Sequence, residues 1–100
     1  MSAVDLTRDL VRLNTVGGGE KPAARLLAGR LETAGFDVAL YEMAPGREAV
    51  IARWGPCRPV TLTGHLDTVP LGRQPWSHGA HEAEIDGDRL YGRGTSDMKS

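Results

Sequence analysis

The sequence predicts an α/β fold. Three observations carry that reading. Apolar residues recur at helical spacing through the first third of the chain; the period shortens to two just after Gly35; and Gly and Pro clusters separate the periodic segments. The 100 residues amount to one small domain or a piece of a larger one.

Ala3, Leu6, Leu10 and Leu13 recur at three- and four-residue intervals, which predicts a helix over 3–13. The stretch VGGGEKP interrupts it. Pro22 suits the first turn of a second helix over 22–34, with Ala23, Ala24, Leu27, Leu31 and Ala34 on one face. Gly35 stands just past its C-terminus, where a left-handed residue ends many helices.

Phe36, Val38 and Leu40 alternate with Asp37, Ala39 and Tyr41, which predicts a strand over 36–43. A turn at Ala44, Pro45 and Gly46 leads to a strand over 48–54. After the loop GPCRP, a third strand is expected over 60–65. Asp86, Gly87 and Asp88 then form a hairpin signal between Glu84-Ile85 and Arg89-Leu90-Tyr91. Strands this few, with two helices, leave the sheet edges bare, so the chain reads as the N-terminal part of a larger α/β domain.

Composition excludes some classes of partner. The net charge is −1 and the basic residues are scattered among few aromatics, so neither nucleic acid nor an anionic membrane is expected. Cys57 is alone, which rules out an intrachain disulfide and fits a reducing compartment. With no signal-like or spanning apolar run, a cytoplasmic location is expected.

Two segments carry residue types suited to chemistry. In TLTGHLDTVP, His65 and Asp67 are two apart at the end of the third expected strand, so both point to one side. One ring nitrogen of His65 can ligate a metal while the other donates to Asp67, which fixes the tautomer. A solvated His and Asp in a loop is the plainer account of the same spacing. In GRGTSDMK, two glycines around Arg93 permit close backbone approach, and Asp97 follows two small hydroxyl residues. Its carboxylate can bridge cations; taken alone, the segment reads more readily as a cap, with Ser96 or Asp97 starting a helix near Met98.

Weaker candidates complete the survey. His78 and His81 read as solvated loop residues, and Cys57 as an inert loop thiol. VGGGEK lacks the ending of a phosphate loop, and no Gly-x-Ser-x-Gly elbow occurs. Trp54 and Trp76 read as packing residues.

TGHLDTVP, a following Trp, and then DGDRLYGRGTSDMK closely resemble the M20 family of metallopeptidases and deacylases. The pair of segments at this separation is far more specific than either half. The N-terminal helices, the Thr-Val before a Gly-rich break and the Ala-Gly-Phe entry to the strands are also similar, so the resemblance covers the whole chain. It covers about a quarter of a typical member.

The resemblance implies the N-terminal part of a three-layer α/β/α zinc-peptidase catalytic domain with a mixed sheet; the rest of that domain and any lid domain lie outside these residues. It implies two zinc ions per active site, with cobalt an accepted substitute. His65 would bind one ion, Asp97 would bridge both, and Asp67 would be the catalytic-site acid that orients His65. Gly92, Gly94 and Lys99 would be scaffold around Asp97, and the peptide after Asp97 would be cis. The general base would be a Glu beyond residue 100, as would the remaining ligands. The implied activity is hydrolysis of the amide of an N-acyl amino acid or small peptide, with a homodimer allowed for the full-length protein. Two departures stand out: Ser-His-Gly-Ala-His follows Trp76 where the family often has Pro-Phe, and Ser100 replaces a frequent Gly. The alternative is a non-catalytic fragment or a metal-binding or structural module of the same fold.

Overall fold

The computed structural model describes residues 2–100. Helix α1 (Ala3–Val11) starts at Ser2, whose hydroxyl accepts from the Asp5 amide while the Asp5 carboxylate accepts from the Ser2 amide. This reciprocal cap satisfies two donors that a helix start otherwise leaves orphaned. Thr7, Leu10 and Val11 are its buried residues. The buried stripe is therefore turned from the expected Ala3–Leu6–Leu10–Leu13 line, because α1 is packed by the later loops as well as by α2.

Helix α2 (Lys21–Thr33) has Pro22 in its first turn and buries Ala23, Ala24 and Ala28. It ends as expected at Gly35, with φ +93. The Gly35 amide donates to Glu32 and the Phe36 amide to Leu31, closing the last turn on two orphan carbonyls. The small alanines let α2 lie against an antiparallel hairpin of β1 (Asp37–Ala44) and β2 (Arg47–Arg53), in register from Asp37 opposite Arg53. Gly46, with φ +75, makes the turn, and its carbonyl accepts from the Lys21 amide at the start of α2.

Buried carboxylates lock this unit. Glu48, 5% exposed, receives both Nη2 and Nε of Arg25 at 3.0 and 3.3 Å, and Lys21 Nζ stands 3.5 Å away. The Arg25 pairing, aided by Lys21, holds the Glu48 carboxyl below its ordinary range. Glu20 is matched by Arg47 Nε at 3.1 Å, and Arg30 joins α2 to α1 through Asp9 at 2.8 Å.

The third expected strand is not formed. Residues 60–65 run without a ladder, and Val60 and Leu62 are each 92% exposed. A strand is defined by its partner's hydrogen bonds, and among the described residues none lies alongside. The nearest pairing is a single parallel bridge between Val16 and Thr68. The late hairpin forms as expected, from β3 (Glu84–Asp86) and β4 (Arg89–Tyr91) around Gly87 and Asp88. The result is a small mixed α/β unit with two separate antiparallel hairpins. An open cleft of about 1470 Å³ runs between α1, α2, β2 and residues 54–67, with Leu27, Leu31 and Phe36 on its wall. Among the described residues no helix is long and apolar enough to cross a membrane.

Candidate metal centre

The turn after α1 positions the first candidate segment. The Thr15 hydroxyl donates to the Leu66 carbonyl, the Thr68 amide donates to the Thr15 carbonyl at 3.0 Å, and the Gly17 amide donates to the Thr68 carbonyl at 2.9 Å. Thr15 and Thr68 are both buried. Residues 66–68 are thereby stitched onto the turn, and His65 leaves this anchored stretch at its N-terminal side.

The second segment is fixed by glycines and a lysine. A Cβ on Gly92 would stand 2.5 Å from Val11 Cγ1, so the absence of a side chain lets this backbone lie on α1. At Gly94, with φ +98, a Cβ would stand 3.0 Å from Lys99 and 3.2 Å from Thr68. The Lys99 amide donates to the Gly94 carbonyl at 2.8 Å and closes the loop. Its side chain is buried and Nζ donates to the carbonyls of Leu10 and Leu13, at 3.0 and 2.8 Å. Burial pushes the Lys99 ammonium below its ordinary range. The carbonyls at a helix C-terminus are natural acceptors for a cation. The peptide bond between Asp97 and Met98 is cis, and the Met98 methyl lies where a Cβ on Gly64 would come within 3.0 Å.

These anchors bring His65 and Asp97 together across 32 residues, with Nε2 2.8 Å from Oδ1. The other ring nitrogen, Nδ1, is 2.9 Å from the main-chain carbonyl of Asp67. A carbonyl only accepts, so Nδ1 carries the proton, and Nε2 is the nitrogen turned to Asp97. The hydrogen bond to the Asp67 carbonyl, with that to Asp97, raises the His65 pKa. An unprotonated Nε2 and an ionised carboxylate at this distance are two lone-pair donors facing one another. A proton or a metal cation between them resolves the conflict.

The expected contact from His65 to Asp67 is thus made by a different group. The Asp67 carboxylate lies 3.5 Å from Nδ1, beyond the main-chain oxygen that holds the ring. The side chains of His65 and Asp97 are 45% and 81% exposed, so the pair opens to solvent. The donor set suits a divalent cation but is partial: among the described residues no group of three or more His, Cys, Asp or Glu side chains could hold a metal.

The sequence profile described as Peptidase family M20/M25/M40 matches residues 61–100, the span that carries both halves of this pair. Succinyl-diaminopimelate desuccinylase of Gluconobacter oxydans is 42% identical over 100 residues, covering 96% of this chain and 26% of that protein. The desuccinylase of Roseobacter denitrificans is 42% identical over 107 residues, covering 100% and 28%. Acetylornithine deacetylase of Vibrio campbellii is 38% identical over 82 residues, covering 81% and 22%. The chain belongs to the M20 family. It spans about a quarter of the length of the curated relatives it matches.

Elsewhere in this M20 segment the structure revises the loop histidines. His78 is largely covered: its ring lies 3.9 Å from that of Tyr91, and Nδ1 stands 3.0 Å from Glu84 Oε2. Both ring nitrogens of His81 are buried without a partner. The β3–β4 hairpin folds back over the loop, a contact no local spacing announces. Trp76 lies under the Arg93 guanidinium at 5.1 Å, while Arg93 Nη2 donates to Pro70; Trp54, also expected to pack, is instead 77% exposed. Cys57 is free and exposed.

Proposed function

We propose that these residues are the N-terminal part of the catalytic domain of a zinc-dependent amidohydrolase that cleaves the acyl amide of an N-acyl amino acid or small peptide. The single observation that carries the reading is the 2.8 Å approach of His65 Nε2 to Asp97 Oδ1, with Nδ1 already committed to a carbonyl. In this reading His65 ligates one ion through Nε2. Asp97 would hold metal beside His65 through its carboxylate, which has a second oxygen free to serve another ion. Asp67 holds the imidazole by its main chain and adds negative charge beside it. Bound divalent metal supplies a Lewis acid that polarises the scissile carbonyl and acidifies water. A catalytic zinc takes three protein ligands, so further donors and the general base come from outside these 100 residues. The same shortfall makes the 100-residue chain by itself inactive.

The names of the relatives favour succinyl and acetyl groups on diamino acids as the first substrates to try. The unpaired stretch 60–65 and the open cleft fit a larger, mixed, three-layer α/β/α domain whose other strands lie elsewhere in the protein. A cytoplasmic, homodimeric enzyme acting on small molecules is the accompanying proposal.

The test is turnover of N-succinyl and N-acetyl amino acids by the whole protein, before and after chelation. Activity lost with chelator, restored by zinc or cobalt, and absent in His65→Ala is the expected result. Full turnover by metal-free protein would sink the reading.

A further inference from the structure

Both halves of the His65–Asp97 pair are tied to the same short stretch of chain, residues 10–17, which contributes no metal-facing donor itself. On one side Thr15 and Gly17 hold residues 66–68 by three hydrogen bonds, directly after His65. On the other, the carbonyls of Leu10 and Leu13 hold Lys99, two residues after Asp97. The two segments also meet directly: Arg93 Nη2 donates to the Pro70 carbonyl at 3.1 Å, and a Cβ on Gly94 would stand 3.2 Å from Thr68 and one on Gly64 3.0 Å from the Met98 methyl. Residues 10–17 include the exit from α1, where the last carbonyls lack helical partners. An ammonium satisfies them and is favoured there by the helix dipole. A buried lysine is rare unless its charge is met, and Lys99 is met by these carbonyls and by no carboxylate within salt-bridge distance among the described residues.

We propose that the turn over residues 10–17 is the jig that sets the separation of His65 and Asp97, acting through two positioning residues, Thr15 and Lys99. The inference rests on the metal-site reading above. The hydroxyl of Thr15 sets the height of residues 66–68, and therefore of His65 Nε2. The ammonium of Lys99 draws the loop over 94–99 toward the end of α1, which turns Asp97 to the imidazole. Removing either bond leaves both ligands present but lets their spacing drift. Metal affinity is sensitive to such support, and loss of one outer partner typically weakens it about 10–100-fold.

The test uses the whole protein with cobalt(II) alone as probe. Affinity is read by calorimetry and ligand geometry by the visible absorption bands. Thr15→Val and Lys99→Met are each expected to weaken cobalt binding about 10–100-fold and to shift the bands. Lys99→Arg keeps a cation and is expected to recover part of the loss. Glu48→Gln breaks the distant Arg25 pair and lowers stability, yet is expected to leave affinity and spectrum unchanged. If Lys99→Met does not fold, Thr15→Val decides, since it is close in shape to the residue it replaces. Wild-type affinity and bands in folded Thr15→Val and Lys99→Met overturn the proposal. An equal loss in Glu48→Gln also overturns it, by reducing the effect to general destabilisation. His65→Ala separates the two levels: unchanged cobalt binding there sinks the metal site itself. Lost binding there, with normal Thr15→Val and Lys99→Met, sinks only the jig.

Discussion

His65 Nε2 stands 2.8 Å from Asp97 Oδ1, and neither residue belongs to a helix or to a paired strand. Loops hold the site, and what steadies them is α1 and its exit turn. Residues on such loops owe their geometry to anchors remote in sequence, so substitutions at the anchors and at the pair itself report different things.

Asp97→Asn keeps size and shape but removes the charge that faces the imidazole. In the whole protein its metal affinity is expected to fall by more than the ~10–100-fold typical of an outer partner. Metal content after dialysis checks this, and a full complement of zinc would contradict the assignment of Asp97.

Asp67→Ala is expected to be milder. The main-chain carbonyl that accepts from Nδ1 survives the substitution, and only a carboxylate at 3.5 Å is lost. A decrease of about tenfold in metal affinity, the low end of the range for an outer partner, is the expected outcome. A loss well above a hundredfold would mean that the carboxylate, not the carbonyl, orients the ring.

The 100-residue chain expressed alone is expected to bind zinc weakly and to turn over no N-acyl amino acid, because it offers two metal-facing donors against the three that catalytic zinc takes. It is also expected to self-associate. Val60 and Leu62 are exposed on the unpaired stretch, Ile51 is exposed on β2, and Trp54 is exposed just after it. Calorimetry with zinc and sedimentation at several concentrations read the two expectations separately. Tight stoichiometric zinc binding by a monomer would refute both.

Gly92→Ala is expected to destabilise by about 1–3 kcal/mol through overpacking, since the new methyl meets Val11 Cγ1. Adding Val11→Ala is expected to return part of that loss. Thermal melts of the single and double variants decide, and additive losses would show that the two sites do not touch.

Glu48 ties stability to acid. Its folded pKa is depressed by Arg25, so the contribution of the pair is present above the unfolded carboxylate value and disappears as pH falls through the folded value. Melting temperature is expected to decline over that acid range in the wild-type protein and to decline less steeply in Glu48→Gln, which starts lower at neutral pH. Parallel pH profiles would remove Glu48 from the account.

What the sequence determined by itself was local. The two helices, the Gly35 stop, the Gly46 turn and the Gly87 hairpin rest on periodicity and on backbone preferences of Gly and Pro, which act within a few residues. His65, Asp67 and Asp97 stood out because their residue types and spacing suit metal chemistry and match a family pattern. Tertiary structure decided everything that needs a partner from far along the chain. The 60–65 stretch has strand character but no ladder, because ladders come from neighbours rather than from propensity. The ring of His65 is held by the carbonyl of Asp67 instead of its carboxylate, a choice between two acceptors of one residue that spacing cannot distinguish. Lys99 looked like one more charge at the end of a motif. Only the packing of α1 against the loop over 94–99 turned its ammonium onto the carbonyls of Leu10 and Leu13, where these acceptors compensate an otherwise costly burial.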